Sequence, residues 1–457
     1  MSEHEVDVVV IGMGPGGEYA AGQLAEAGLV VAGVEDKLVG GECPYWGCVP
    51  SKMMIRAADL LTEGRRIPGM AGASAVRQEW APVAGRIMEA TDNWDDMAAA
   101  DRFTGLGGRL FRGHGRVVAP GQVAVGDDVL RARRGIVIAT GSAPSIPPIP
   151  GLAGTPFWTN HQAIEALRVP ESLIVLGGGA IGSELAQVFS RFGTKVTVVE
   201  ALGRLLPPEE PEAGALLAEV FGREGIGVRT GVAATRVAHE GGEGQDPGFT
   251  LTLADGEDLQ AAALLVATGR RADLGAVGTG EAGIDEAQRW VPVDDHMRAA
   301  PGVWALGDVV GKGAFTHMSV YHAAIVVADI LGREHNTAEY HAVPRVTFTD
   351  PEIGSVGLTE AQARDQGLTV RVGVTQVPAS ARGWIHKAGN DGFIKLVEDA
   401  ERGVLVGATS VGPWGGEVLS PLVLAVHAAV PTQRLREMIY AYPTFHRAIE
   451  DALRDLS

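Results

Sequence analysis

Short apolar runs, dominated by β-branched residues and separated by glycine-rich turns, set the pattern of this chain. Val6 to Ile11 is such a run and predicts a strand buried on both faces. Gly12-Met13-Gly14-Pro15-Gly16-Gly17 follows, then a helical stretch from Glu18 to Ala27, then a second run from Leu29 to Val34 that ends at Glu35. The pattern returns later: a strand at Leu173 to Leu176, a glycine turn with Gly177, Gly179 and Gly182, and a strand at Val196 to Glu200. Between the two repeats, Thr62 to Gly108 reads as helices whose Trp80 and Trp94 belong to a core. Arg109 to Thr140 reads as short strands, the last of them Ile136-Val137-Ile138-Ala139. Ser142 to Gly154, with four prolines, reads as a crossing between domains, and beyond Glu339 strands alternate with short helices.

The two glycine turns carry the same spacing, G-x-G-x-x-G, each between a strand and a helix and each closed by an acidic residue. Gly12, Gly14, Gly17 and Glu35 have counterparts Gly177, Gly179, Gly182 and Glu200, every one 165 positions later (12 to 177, 35 to 200). The first glycine permits the tight turn, the second lets the backbone reach a pyrophosphate, and the third allows close helix–strand packing. A helix N-terminus at that place stabilises phosphate charge. Ala267-Thr268-Gly269 echoes Ala139-Thr140-Gly141. The expected fold class is therefore α/β, with two Rossmann-like dinucleotide-binding domains and an α+β C-terminal domain.

At 457 residues, two to four domains with ample cores are expected. Lys+Arg is 38 and Asp+Glu 56, a net charge of −18, which argues against nucleic acid and against an anionic membrane surface and otherwise serves solubility. No apolar run reaches membrane-span length, and the acidic N-terminus enters a strand directly, so no signal peptide is read and a cytoplasmic location is expected.

Both cysteines of the chain lie in Gly40-Gly41-Glu42-Cys43-Pro44-Tyr45-Trp46-Gly47-Cys48-Val49-Pro50-Ser51-Lys52. Ser51 to Leu61 reads as a helix, with Cys48 just ahead of its N-terminus, where the macrodipole lowers a thiol pKa, and Cys43 one loop away. Three readings are open. Buried structural thiols fit poorly with Gly/Pro-rich surroundings. A zinc site lacks ligands, since four are the rule, and no metal set is expected. The third is a redox pair with wider spacing than C-x-x-C.

The stretch Gly-Gly-x-Cys-x-x-x-Gly-Cys-Val-Pro-Ser-Lys resembles the active-site signature of the class I pyridine nucleotide-disulfide oxidoreductases, which include lipoamide dehydrogenase, glutathione reductase and mercuric reductase. Glu42 and Pro44-Tyr45-Trp46 depart from the usual residues between the sulfurs. Phe348 to Glu360 resembles the opening of that family's dimerisation domain, so the resemblance covers nearly the whole chain. It implies an FAD-binding domain at 1–150 and 271–335, an NAD(P)-binding domain at 151–270 and an interface domain at 336–457. For FAD it implies Gly12, Gly14, Gly17, Glu35, Asp36 and Lys37, with Gly41, Glu42, Gly47 and Lys52 of the cysteine stretch. His114-Gly115, Ala139-Thr140-Gly141, Gly307-Asp308 and Ala314-Phe315-Thr316 complete that set. For the nicotinamide nucleotide it implies Gly177, Gly179, Ala180, Ile181, Glu184, Glu200 and Gly269. Glu200 can accept from a free 2′-hydroxyl and would repel a 2′-phosphate, so NAD(H) is favoured over NADP(H), although Arg204 is near in sequence.

The implied electron path runs from NADH through flavin and the Cys43–Cys48 disulfide to a small-molecule acceptor. Cys48 would face the flavin and Cys43 would attack substrate. Lys52 and Glu184 match the family's ion pair near the flavin, though each also reads as an ordinary helix charge. His317 matches a histidine of lipoamide dehydrogenases and equally reads as a polar helix start. A homodimer is implied, with the segment around Tyr442 approaching Cys43 of the partner subunit.

There the pattern breaks. The family's disulfide reductases carry His-Pro-Thr-x-x-Glu, whereas this chain has Tyr442-Pro443-Thr444-Phe445-His446-Arg447. Tyrosine, with a pKa near ~10, is a poor base at neutral pH. His446 is expected on a helix, directed to the surface. Mercuric reductases also have Tyr near this position but carry an extra C-terminal cysteine pair, absent here. Three functions remain: a reductase of a disulfide-type substrate, a reductase of a metal ion or quinone, and a flavin- and NAD-binding redox sensor.

Overall fold

The computed structural model describes residues 2–240 and 248–457. Met1 and positions 241–247, which fall in the ranges assigned above to the two nucleotide domains, lie outside the described residues. Two compact units emerge, one formed by Met1–Ser51, Gly85–Ser145 and Gly269–Glu339, the other by Lys52–Ala84, Ile146–Thr268 and Tyr340–Ser457.

In the first unit, strand Ser2–Ile11 lies between the parallel strands Val31–Glu35 and Asp128–Ile138, and Val303–Ala305 extends the parallel order. Val8, Val9 and Val10 are fully buried, in one core with Leu24, Val117 and Val123, which is why their run is continuous rather than alternating. Ile11 stands opposite Val34 and Ile138, so three strands end at one edge and deliver Gly12, Glu35 and Ala139 there together. Helix Pro15–Glu26 begins one residue after Gly14, with Pro15 in its first turn, where a missing N–H costs nothing. It packs on helix Thr316–Ile330 so closely that a Cβ on Gly16 would stand 2.8 Å from the Ser319 carbonyl oxygen.

The second unit repeats the arrangement in a four-stranded parallel sheet, ordered Gly227–Thr230, Lys195–Glu200, Ser172–Leu176 and Ala263–Val266, with helix Ala180–Arg191 after the second glycine turn. A three-stranded antiparallel sheet, Ala234–Glu240, Gly248–Leu253 and Asp258–Ala261, is appended. The C-terminal part is a five-stranded antiparallel sheet, ordered Pro344–Thr347, Glu352–Gly357, Val404–Gly412, Phe393–Asp399 and Val370–Gln376. Helices Gly415–His427 and Ala448–Asp455 bury Leu419, Leu422, Ala452 and Leu453 in its core. Among the described residues no helix is long and apolar enough to cross a membrane.

Several local expectations are corrected. The helix after the second cysteine runs Cys48–Arg66, so Cys48 is its first residue rather than a residue ahead of it. Cys43 sits in a one-turn helix, Glu42–Tyr45, not in a loop. The stretch from Thr62 to Gly108 is only partly helical: beyond Arg66 its helices are Ala81–Ala90 and Met97–Gly105, with a turn at Asp92–Trp94 in which all three residues have positive φ. Trp80 is buried and stacks on Phe189 at 5.4 Å, as a core residue should, but Trp94 is only half-buried, because that left-handed turn lifts it out of helical register. His446 precedes the last helix and is half-buried, its Nε2 3.4 Å from the Thr444 hydroxyl, so it is neither helical nor a surface residue.

Candidate active site

The glycine turn of the first unit is shaped by what it excludes. A Cβ on Gly12 would lie 2.5 Å from the Ala139 carbonyl oxygen, and one on Gly17 would lie 1.9 Å from the Gly12 oxygen. Gly12 also has φ +94°, open to glycine without strain. Gly14, by contrast, faces only the Gly41 Cα at 4.0 Å, and the helix it precedes has no side-chain cap. Uncapped amide N–H groups thus front an open space, the arrangement that receives an anion. The second unit matches it. Gly182 would place a Cβ 2.0 Å from the Gly177 oxygen, while a Cβ on Gly179 would meet no atom within 4 Å beyond its chain neighbours among the described residues, and its helix is likewise uncapped.

The acidic residues extend the match to hydrogen bonds. Glu35 accepts from the amides of Met13 at 2.7 Å and Lys37 at 2.8 Å. Glu200 accepts from Gly178 at 2.7 Å and Leu202 at 2.8 Å. Burial pushes the Glu35 carboxyl above its ordinary pKa, opposed by those two amides. Asp36 and Lys37 are exposed, and His114 is tied to the Ala276 carbonyl at 2.9 Å and lies 3.8 Å from Asp36. Gly115 is close-packed on Ile11 and Val34.

Cys43 and Cys48 are not joined as a disulfide and stand in side-chain hydrogen-bond contact, and the Cys48 sulfur lies 3.3 Å from the Thr316 hydroxyl. The hydrogen bond to Cys48, then burial, drive the Cys43 pKa upward and hold Cys43 as the thiol. Cys48, at the start of a helix, occupies the place where a sulfur anion is stabilised. Cys43 lines a cavity of about 400 Å³ with Tyr45, Asp92, Asp95, Arg102 and Thr316. One turn beyond Cys48 on the same helix, Lys52 meets Glu184 at 2.7 Å, and Glu184 also accepts from the Phe348 amide at 2.8 Å. Ala180 and Ile181 are exposed in the first turn of the helix that carries Glu184.

Residues 6–325 match the pyridine nucleotide-disulphide oxidoreductase family, and residues 343–453 match its dimerisation domain. The chain belongs to this family. Dihydrolipoyl dehydrogenase of Thermus scotoductus is 33% identical, the match covering 98% of this chain and 97% of the relative. Mercuric reductase of Streptomyces lividans is 32% identical over 97% of this chain and 94% of its own length. The copper(II) complex of the HOCl-induced flavoprotein disulfide reductase RclA from Escherichia coli superposes with a TM-score of 0.86 at 26% identity, covering 99% of each chain. The protein is thus an FAD-dependent pyridine nucleotide-disulfide oxidoreductase, with the family's two nucleotide domains and a dimerisation domain that indicates a homodimer.

In this oxidoreductase the uncapped N–H groups of the first glycine turn and the space at Gly14 are compatible with FAD. A further cluster joins Asp308 and Glu42, named above, to Ser142 and Arg270, which the sequence did not single out as site residues. Asp308 accepts from the Ser142 hydroxyl at 2.6 Å, and Arg270 donates to that hydroxyl at 2.8 Å and to the Ser142 carbonyl at 2.5 Å. The same guanidinium lies 3.6 Å from Glu42 and 3.9 Å from Asp308. Burial raises the Asp308 pKa, opposed by Ser142 and Arg270. The only sequence signal for Arg270 was its place after Ala267-Thr268-Gly269. Gly307 leads a short 3₁₀ turn, and Ala314, Phe315 and Thr316 lead into helix Thr316–Ile330. His317 is exposed and stacks on Phe315 at 5.0 Å. Arg270→Ala is expected to destabilise the holoenzyme by roughly 1–3 kcal/mol, because the half-buried Asp308 and Ser142 lose a charged partner. A thermal melt that tracks flavin fluorescence checks this, and an unchanged midpoint would refute it.

Tyr442 is 70% exposed, with the Arg447 guanidinium 5.4 Å from its ring, and Arg447 pairs with Glu450 at 3.2 Å. Ile439 is 96% and Trp384 76% exposed in the same domain, an amount of open apolar surface that suits a subunit interface.

Proposed function

We propose that this enzyme takes electron pairs from NADH and passes them, by way of FAD and the Cys43–Cys48 pair, to a disulfide-type small-molecule acceptor. The hydrogen-bonded thiol pair, with Cys43 lining a cavity, carries this reading. The assignment of 1–150 and 271–335 to FAD, 151–270 to the nicotinamide nucleotide and 336–457 to dimerisation goes with it. When bound, FAD supplies a ring that accepts hydride and returns an electron pair to sulfur.

The protein's own residues do the rest. Cys43 is the substrate-side thiol. Its sulfur bonds to one sulfur of the substrate and the other departs, taking a proton. Cys48 then attacks the mixed disulfide, which restores Cys43–Cys48 and frees the second thiol. The Thr316 hydroxyl is placed to donate to a Cys48 thiolate. Lys52, oriented by Glu184, would offer positive charge one helical turn from Cys48. A thiol pair kept for turnover suits the reducing cytoplasm.

Anaerobic NADH titration tests this. The wild type should develop a long-wavelength thiolate–flavin band that Cys48→Ser lacks. Absence of the band in the wild type would remove the thiols from the circuit.

NADH preference is supported by Glu200 and by Arg204, whose guanidinium donates to the carbonyls of Pro207 and Glu209 instead of being offered to a 2′-phosphate. The expected kcat/KM for NADH exceeds that for NADPH by at least about tenfold. A steady-state comparison giving the reverse order would overturn the assignment.

A second reading is supported by one departure. Tyr442 stands where the family's disulfide reductases have an acid–base histidine, and a thiolate-bound metal ion needs no proton shuttle. The E. coli neighbour was solved as a copper(II) complex. A soft metal ion or a quinone is therefore the alternative acceptor, distinguished by an acceptor panel run on the wild type and Cys43→Ser.

A further inference from the structure

We propose that His296, Asp329 and His335 form a binding site for one divalent transition-metal ion of the zinc, nickel or copper(II) type. Each residue offers one ligand atom, and the three atoms lie within 4.8 Å of one another. All three belong to the first unit, outside the thiol pair and the glycine cradle.

The backbone fixes the trio. Asp294 accepts from the amides of His296 at 2.9 Å and Arg298 at 2.8 Å, closing a tight turn around Met297, whose φ is +64°. Asp329 is the penultimate residue of helix Thr316–Ile330. The chain reverses at Gly332, and the Ala338 amide donates to the Asp295 carbonyl at 2.7 Å, returning the His335 segment to the His296 turn.

Hydrogen bonding then determines which atoms face one another. His335 Nδ1 lies 2.9 Å from the Asn336 carbonyl oxygen, which can only accept, so Nδ1 carries a proton. In the neutral ring Nε2 then presents a lone pair, 3.5 Å from Asp329 Oδ1. Asp329 Oδ1 also accepts from Arg298 Nη2, and it faces Nε2 as a second acceptor that a cation between the two would join. His296 stands edge-on to His335, ring centroids 5.1 Å apart at 85°, and its buried Nδ1 has no hydrogen-bond partner among the described residues. A buried polar atom without a partner is destabilising, and a bound ion would offset that cost.

The surroundings have the form of an outer coordination shell. Metal-ligating histidines donate their second N–H to a carbonyl, as His335 does, and their carboxylate partners are themselves hydrogen-bonded. Asp329 accepts from Arg298 Nε at 2.8 Å and from the Trp304 indole at 2.7 Å. Two imidazoles and one carboxylate suit zinc, nickel or copper(II). Calcium and magnesium prefer oxygen ligands, and Arg298 offsets the only negative charge in the set.

The test uses chelator-treated holoenzyme with its thiols alkylated by iodoacetamide, so that Cys43 and Cys48 cannot compete. Calorimetric titration with Zn²⁺ should show one ion per chain. His335→Ala and His296→Ala should each weaken binding by at least about tenfold, as loss of even an outer-shell partner does. Flavin content and the melting midpoint, read on each variant, separate loss of a ligand from loss of fold. Alkylated wild type that takes up no stoichiometric Zn²⁺ would leave a protonated His335 paired with Asp329 as the role of the cluster and overturn the proposal. So would undiminished binding in the folded double variant.

Discussion

Cys43→Ser should abolish NADH-driven turnover of a disulfide substrate, lowering kcat/KM by about 10⁴-fold or more, the scale of losing a covalent nucleophile. Serine fills nearly the same volume, so the one-turn helix Glu42–Tyr45 should persist. What disappears is the sulfur that bonds to substrate, and a serine hydroxyl cannot replace it because an alkoxide is far less accessible than a thiolate. Direct reduction of a quinone from the flavin should survive, since it needs neither sulfur. Parallel assays with a disulfide and a quinone decide the matter. If Cys43→Ser keeps substantial disulfide turnover, Cys43 is not the substrate-side thiol.

The second large effect runs the other way. Tyr442→His combined with Arg447→Glu should raise disulfide kcat/KM by about 10²-fold, the lower end of what a positioned acid–base group contributes. The departing thiol needs a proton, and a phenol with a pKa near ~10 exchanges one poorly at neutral pH, whereas imidazole near ~6.5 does so readily. Tyr442→His alone should gain less, because Arg447 lies over that side chain and opposes the imidazolium that proton uptake creates. The gain should grow as pH rises through the imidazole pKa, where the neutral base becomes available. Folding should be little affected, since Tyr442 is largely exposed and surface changes of this kind stay within about 0.5 kcal/mol. No gain at any pH would show that proton delivery does not limit this enzyme.

The two βαβ units were legible because their signals are local. A β-branched run, three glycines at fixed spacing and a terminal carboxylate each act within a few residues, and their order dictates the turn. The cysteine stretch was legible for the same reason, but its backbone was not: the helix was expected from Ser51, whereas Pro50, as third residue, sits in the first turn and the helix begins at Cys48. Arg270, Ser142 and Asp308 were not read as a group because Ser142 is more than 120 positions from the other two and meets Arg270 only when two strands pair, Ala143–Pro144 with Arg270–Arg271. The same holds for His296, Asp329 and His335, which reach each other through a helix and two chain reversals. His446 was expected on a helix, whereas the helix starts only at Ala448.

The twin braces of Glu35 and Glu200 bear on any attempt to redesign this enzyme for another coenzyme. Each carboxylate holds two main-chain amides besides the ligand role proposed for it, so shortening Glu200 to serine or alanine removes the fastening of the loop along with the charge proposed to discriminate. An engineer seeking NADPH use must first give Gly178 and Leu202 a new acceptor and only then add a cation. Otherwise the loop loosens before the preference changes.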